Sequence, residues 1–157
     1  MADAMTEPST PFTLADAVAL ARRAHAGQVD KAGRPYIEHP LRVMAKVREE
    51  RVRQVAVLHD VLEDTTVTAP DLRAAGCRGD VVDAVLALTK RPGESLAQSM
   101  ARARANPLAR TVKAADVDDN MDPSRLALLP TETADRLRAK YAASLRWLNA
   151  GDRGTGR

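Results

Sequence analysis

Three times along this chain the same short signature opens an apolar run: Thr13 with Asp16, Thr68 with Asp71, and Ser95 with Gln98. A hydroxyl followed three residues later by an acid or amide satisfies orphan amides at a helix start, so each pair predicts a capping box. Behind the first, Leu14, Val18 and Ala21 fall on one face of a helix closed by Gly27. Further helices are expected over residues 39–50, 52–64, 68–76 and 80–90, after Ser95, from Pro107 to Asn120 with Pro123 as the stop, and over 133–149. Gly33 and Pro35 mark 28–36 as a loop. Strand-like alternation between hairpin turns is absent, so the fold class is all-α, with about eight helices. The chain of 157 residues fits one domain over 13–150, between a polar lead at 1–12 and a Gly-rich tail at 151–157.

Composition removes several function classes. Aromatic residues are only 3%, so the core is aliphatic and no row of stacking platforms for single-stranded nucleic acid is on offer. The 24 basic and 21 acidic residues leave +3, but the charges are interspersed, and no nucleic-acid partner is expected. A single cysteine, Cys77, rules out an internal disulfide and any multi-cysteine zinc site. No signal peptide and no membrane-length apolar run is present, so no membrane partner is expected and the reading is cytoplasmic. Nothing in the pattern of helix faces decides between monomer and oligomer, since an apolar face serves core or interface alike.

The chemistry is concentrated in VRQVAVLHDVLED, an apolar helix with His59 and Asp60 at its centre. An imidazole and a carboxylate there need partners. Glu63 and Asp64 follow at i+4 from each, which puts three carboxylates and one imidazole within about two turns of one helix. A buried His–Asp hydrogen bond with a solvated acidic turn accounts for them equally well, although negative charge at a helix C-terminus is mildly unfavourable. His39, in PYIEHP, and Asp116, in TVKAADVDDN, extend the set; alone, His39 reads as a surface histidine and Asp116 as the partner of Lys113. Together His39, His59, Asp60 and Asp116 compose a two-histidine, two-carboxylate site for Mn²⁺, Fe²⁺, Mg²⁺ or Zn²⁺. Glu63 and Asp64 would then stand beside a water and take its proton.

In the order His, His-Asp, Asp, the chain resembles the HD superfamily of metal-dependent phosphohydrolases. The words AHAGQVDKAGRPYIEHPLRV, AVLHDVLEDT and VKAADVDDN are narrower. They resemble the hydrolase domain of the RelA/SpoT family, and more particularly its single-domain small alarmone hydrolases, over about Leu14 to Leu148. The resemblance implies an all-helical HD fold, a divalent ion, most often Mn²⁺, and removal of pyrophosphate from the 3′ position of guanosine tetra- or pentaphosphate. By motif position it assigns His39, His59, Asp60 and Asp116 to the metal, and Glu63 and Asp64 to water activation. Lys31, Asn120 and Tyr141 fall to the substrate, with Arg136 and Arg138 as the last-helix bases beside Tyr141. Apart from the family, Arg22 or Arg23 is a further candidate for phosphate charge. Read without the family, Lys31 and Arg34 are a solvated loop, Asn120 a helix cap and Tyr141 a half-buried packing residue.

The family loop usually reads Arg-Lys, the arginine stacking on guanine; here the pair is Asp30–Lys31, and aspartate makes no cation–π contact. Val117 stands where a basic residue often follows the ligand aspartate, with Asp118 and Asp119 adding acidity. The resemblance therefore carries the hydrolytic chemistry further than it carries the base. Hydrolysis of another nucleotide, such as an adenosine alarmone, and a non-catalytic nucleotide-binding module are the alternatives.

Overall fold

Side-chain caps set most of the helix starts. The computed structural model describes residues 11–150. Among the described residues there follow α1 (Leu14–Ala24), α2 (Glu38–Ala45), α3 (Glu50–Leu58), α4 (Val61–Asp64), α5 (Ala69–Ala74), α6 (Gly79–Leu88), α7 (Leu96–Arg104), α8 (Pro107–Asn120), α9 (Pro123–Leu126) and α10 (Thr131–Leu148). The three capping boxes are all made, at the heads of α1, α5 and α7. Among the described residues there is no strand; Val29 and Pro35 form one isolated bridge across the 28–36 loop. The chain is all-α. The expected lead, apart from residues 11 and 12, and the expected tail lie outside the described residues.

Three boundaries differ from the sequence expectation. The helix expected over 39–50 ends at Ala45, and Glu49 starts α3 by accepting from the Arg51 amide at 3.2 Å. The helix expected over 52–64 is interrupted at His59–Asp60. In a continuous helix the Ala56 carbonyl would accept from the Asp60 amide. Here it takes His59 Nδ1 at 2.6 Å and the His59 amide at 3.4 Å. Pro123 does not stop α8, which ends at Asn120; it occupies the first turn of α9, capped by Asp122 onto the Ser124 amide at 2.9 Å.

Helix α3 is the axis of the domain. It packs against α1, α2, α6 and α8, while α10 lies across α7 and α8. The core is aliphatic, with Val43, Val55, Val57, Leu58, Val61, Leu72, Val81, Val85 and Val112 fully buried. Because α2, the α3–α4 junction and α8 all meet at this core, His39, His59 and Asp116 are drawn inward with it. No helix among the described residues is long and apolar enough to cross a membrane.

Candidate metal centre and its cavity

His39, His59 and Asp116 converge from α2, the α3–α4 junction and α8, each presenting a ligand atom within 4.8 Å of the others. His39 Nε2 lies 2.9 Å from Asp116 Oδ1, and His59 Nε2 lies 3.4 Å from the same oxygen. Asp60 joins from the neighbouring position, its Oδ2 3.1 Å from His59 Nε2 and 3.9 Å from His39 Nε2.

The hydrogen bonds around this cluster fix which ring nitrogen faces inward. His59 donates Nδ1–H to the Ala56 carbonyl at 2.6 Å, which leaves Nε2 for the cluster. That Nε2 is buried and has no hydrogen-bond partner. His39 donates Nδ1–H to Asp119 Oδ2 at 2.7 Å, while its Nε2 faces Asp116. A neutral imidazole donates from one nitrogen only, so the Nε2 side must hold a proton or a cation. An unpartnered nitrogen, a second one turned onto a carboxylate, and two carboxylates at the same point are a donor set that fits a divalent ion of intermediate hardness. A carboxylate behind a ligating histidine is the usual outer support for such a site.

Charge balance points the same way. Burial works against ionisation of His39 and His59, yet Asp116 and Asp119 beside the first, and Asp60 and Asp116 beside the second, hold both imidazoles above their ordinary pKa. Burial works against the carboxylates too. The charges of Lys113 and His59 keep Asp116 well below the usual range, and His59 takes Asp60 down to about 2.

Nine of the residues singled out by the sequence line one cavity of about 600 Å³: Lys31, His39, His59, Asp60, Glu63, Asp64, Asp116, Asn120 and Tyr141. Glu63 and Asp64 are exposed on α4, one turn past the cluster. Glu63 Oε1 accepts from the Lys90 amide at 2.8 Å. Partial desolvation of its carboxylate, together with the charges of Asp60 and Glu63, raises the pKa of Asp64. Asp116 is held from both sides, by Lys113 Nζ at 3.1 Å and Asn120 Nδ2 at 3.1 Å, so Lys113 is both ion-pair partner and part of the site. Tyr141 lies on the cavity wall and packs on the small cluster of Leu126, Ala134 and Leu137. Arg22, Arg23, Arg136 and Arg138 are not among the residues lining it; from α10 the basic residue that reaches the cavity is Lys140.

Asp30 has a definite structural task. Its Oδ1 accepts from the amides of Ala32 and Arg34, each at 2.9 Å, and so caps the 30–34 loop. Gly33 turns that loop at φ +83, in the region that favours glycine. Arg34 is drawn away onto Glu38 at 2.9 Å.

Several supporting residues escaped the sequence reading. Tyr36 donates its hydroxyl to Asp60 Oδ2. Asp119, read as added acidity, is almost wholly buried and neutralised by His39, Arg42 at 3.0 Å and Arg125 at 3.2 Å. His25 Nδ1–H donates to Gln28 at 2.8 Å, and Gln28 in turn donates to the Asp64 carbonyl at 2.9 Å, so the loop ties down the acidic turn. Tyr36 and Gln28 lie inside the motif words; only their partners were invisible.

No family model matches the chain. It is 40% identical over 92 residues to the guanosine-3′,5′-bis(diphosphate) 3′-pyrophosphohydrolase of Vibrio cholerae, an alignment covering 55% of this chain and 13% of that protein. A protein of Streptomyces antibioticus named GTP pyrophosphokinase is 32% identical over 135 residues, covering 78% of this chain and 16% of that protein. The bifunctional (p)ppGpp synthase/hydrolase SpoT of Escherichia coli K12 is 41% identical over 63 residues, 38% of this chain and 9% of that one. The chain thus spans well under a fifth of the length of these relatives. A solved structure described as a metazoan ortholog of SpoT that hydrolyzes ppGpp shares the fold, with a TM-score of 0.68, 24% identity, and coverage of 96% of this chain and 98% of that one.

Proposed function

Taking the chain as an HD-type domain related in sequence to RelA/SpoT hydrolases, we propose that it is a metal-dependent hydrolase that removes the 3′-pyrophosphate of guanosine 3′,5′-bis(diphosphate) alarmones. The observation that carries this is the convergence of His39, His59, Asp60 and Asp116 beside Glu63 and Asp64 in one cavity. The relatives' names supply the substrate. The working unit is residues 13–150, acting in the cytoplasm on a free nucleotide, with neither nucleic acid nor membrane as partner.

His39, His59, Asp60 and Asp116 would hold a divalent ion, in our reading Mn²⁺. Bound there, such an ion supplies Lewis acidity to a phosphoryl oxygen and lowers the pKa of a water. The chain's own groups do the rest. Glu63, one oxygen tied to the Lys90 amide, offers its other oxygen to orient the attacking water and, with Asp64, receives its proton. Lys31 meets phosphate charge. Asn120, fixed by Asp116, and Tyr141 face the nucleoside. Water attacks the 3′-linked phosphoryl group, the bond from phosphorus to the 3′ oxygen breaks, and pyrophosphate and a 5′-phosphorylated nucleoside leave.

Asp30 favours a second reading on substrate. With a carboxylate where the family has a stacking arginine, the same chemistry would serve an adenosine alarmone or another nucleotide. Anion-exchange analysis after incubation with ppGpp, ppApp and ordinary nucleotides, with Mn²⁺ or with EDTA, separates the two. EDTA-sensitive pyrophosphate release from ppGpp supports the first, and turnover of another nucleotide alone moves the reading to the second. Nucleotide binding without turnover of any of them would reduce the chain to a binding module.

A further inference from the structure

Glu63 is an exposed side chain near the end of a four-residue helix, a poor platform for a carboxylate that must hold a water in place. Its anchor is the Lys90 amide, 27 residues further on in the turn between α6 and α7. That amide shares its peptide plane with the Thr89 carbonyl, and the Thr89 carbonyl is gripped by Arg102 Nη2 at 2.8 Å from α7. The same guanidinium holds Glu94 by both nitrogens, Nη2 on Oε1 at 3.0 Å and Nη1 on Oε2. Glu94 Oε1 in turn accepts from the Arg91 amide at 3.0 Å. The two groups flanking the Lys90 amide, a carbonyl before it and an amide after it, therefore both end on one ion pair. The pair is largely out of solvent, its side chains 17% and 8% exposed.

Stability alone does not call for such a pair, since apolar side chains of similar volume commonly replace buried ion pairs without loss. The turn has its shape set independently, by the fixed φ of Pro92 and by Gly93 at φ +74. What the pair adds is orientation. A cation on the Thr89 carbonyl fixes the plane of the 89–90 peptide and polarises its N–H toward Glu63. We propose that Arg102 and Glu94 are positioning residues for hydrolysis, and that they act through the 89–90 peptide to hold the Glu63 carboxylate in its working orientation. This rests on Glu63 being the water-holding carboxylate, and a displacement of such a group by about 1 Å costs on the order of 100-fold in rate.

The test uses the full chain with Mn²⁺ and ppGpp, comparing wild type with Arg102→Met, Arg102→Lys and Glu63→Gln. Arg102→Met is expected to lower kcat by about 10- to 100-fold with KM and metal content within about twofold. Its Lys90 amide resonance, read with diamagnetic Mg²⁺ in place of Mn²⁺, should move upfield and exchange with solvent at least about tenfold faster. Arg102→Lys, which can still donate to the Thr89 carbonyl, should recover part of both. A wild-type kcat together with an unshifted Lys90 amide in Arg102→Met overturns the proposal. So does a loss of kcat that follows the unfolded fraction and that lysine does not rescue. If Arg102→Met does not fold, Glu94→Gln is read by the same two signals. Full turnover by Glu63→Gln would instead sink the reading of Glu63, and the amide signal tells that failure from failure of the ion pair.

Discussion

The Nδ1 nitrogen of His39 lies 2.7 Å from Oδ2 of Asp119, a buried carboxylate 80 residues away in the chain. This contact turns the other face of the imidazole to the cluster and sets its tautomer. Supports of this kind are worth about 10- to 100-fold in metal affinity. Asp119→Asn should weaken Mn²⁺ binding by that factor, measured by calorimetry or by the manganese EPR signal. Asp118→Asn, at an exposed carboxylate paired with Lys46, should leave the affinity unchanged.

Removal of the ion should be visible as lost stability. A ligand that binds only the folded chain at 100 times its Kd adds about 2.7 kcal/mol. In a domain of this size that is roughly 5–10 °C in Tm. Mn²⁺ should raise Tm by that amount and EDTA reverse it, while a variant lacking both His59 and Asp116 should show no Mn²⁺-dependent shift.

Asp64 should trade stability for activity. Partial desolvation and two neighbouring carboxylates raise its pKa in the folded protein, so the folded state holds the proton more tightly than the unfolded state does. The penalty is absent in acid, sets in as pH passes the ordinary carboxylate value of the unfolded chain, and is complete above the raised one. Asp64→Asn is therefore expected to raise Tm at pH 7 but not at pH 4, and to cut turnover. A lower Tm for Asp64→Asn at pH 7 would contradict the assignment.

Cys77 should be inert while the domain is folded. It is buried, and burial pushes its thiol up to about 11. Little thiolate exists at pH 8, and it is the thiolate that reacts. Iodoacetamide at pH 8 should leave the native chain unlabelled and label it stoichiometrically in denaturant, as read by intact mass.

Much of this was legible in the sequence for a local reason. The caps at Thr13, Thr68 and Ser95 depend on residues three apart, and the cluster-forming histidines and aspartates stand in recognisable words. What escaped is tertiary or stereochemical. The apolar pattern of 52–64 reads as one helix, and the break comes from the His59 side chain taking the carbonyl its helix needed. Asp119 read as one acid among several, because Arg42, Arg125 and His39 reach it from other helices. Lys90 offers a backbone amide to Glu63, and no choice of side chain announces that.

The cap at Asp30 has a bearing on how the substrate range of such a chain can change. Exchanging this aspartate for an arginine would bring a stacking cation to the cavity and, in the same step, free the amides of Ala32 and Arg34 that its carboxylate now satisfies. Two lost hydrogen bonds amount to about 1–3 kcal/mol, and the loop they order is the one that carries Lys31. Base preference and loop order are thus coupled at one codon. A second substitution that caps residues 30–34 by other means would restore the order lost in the first.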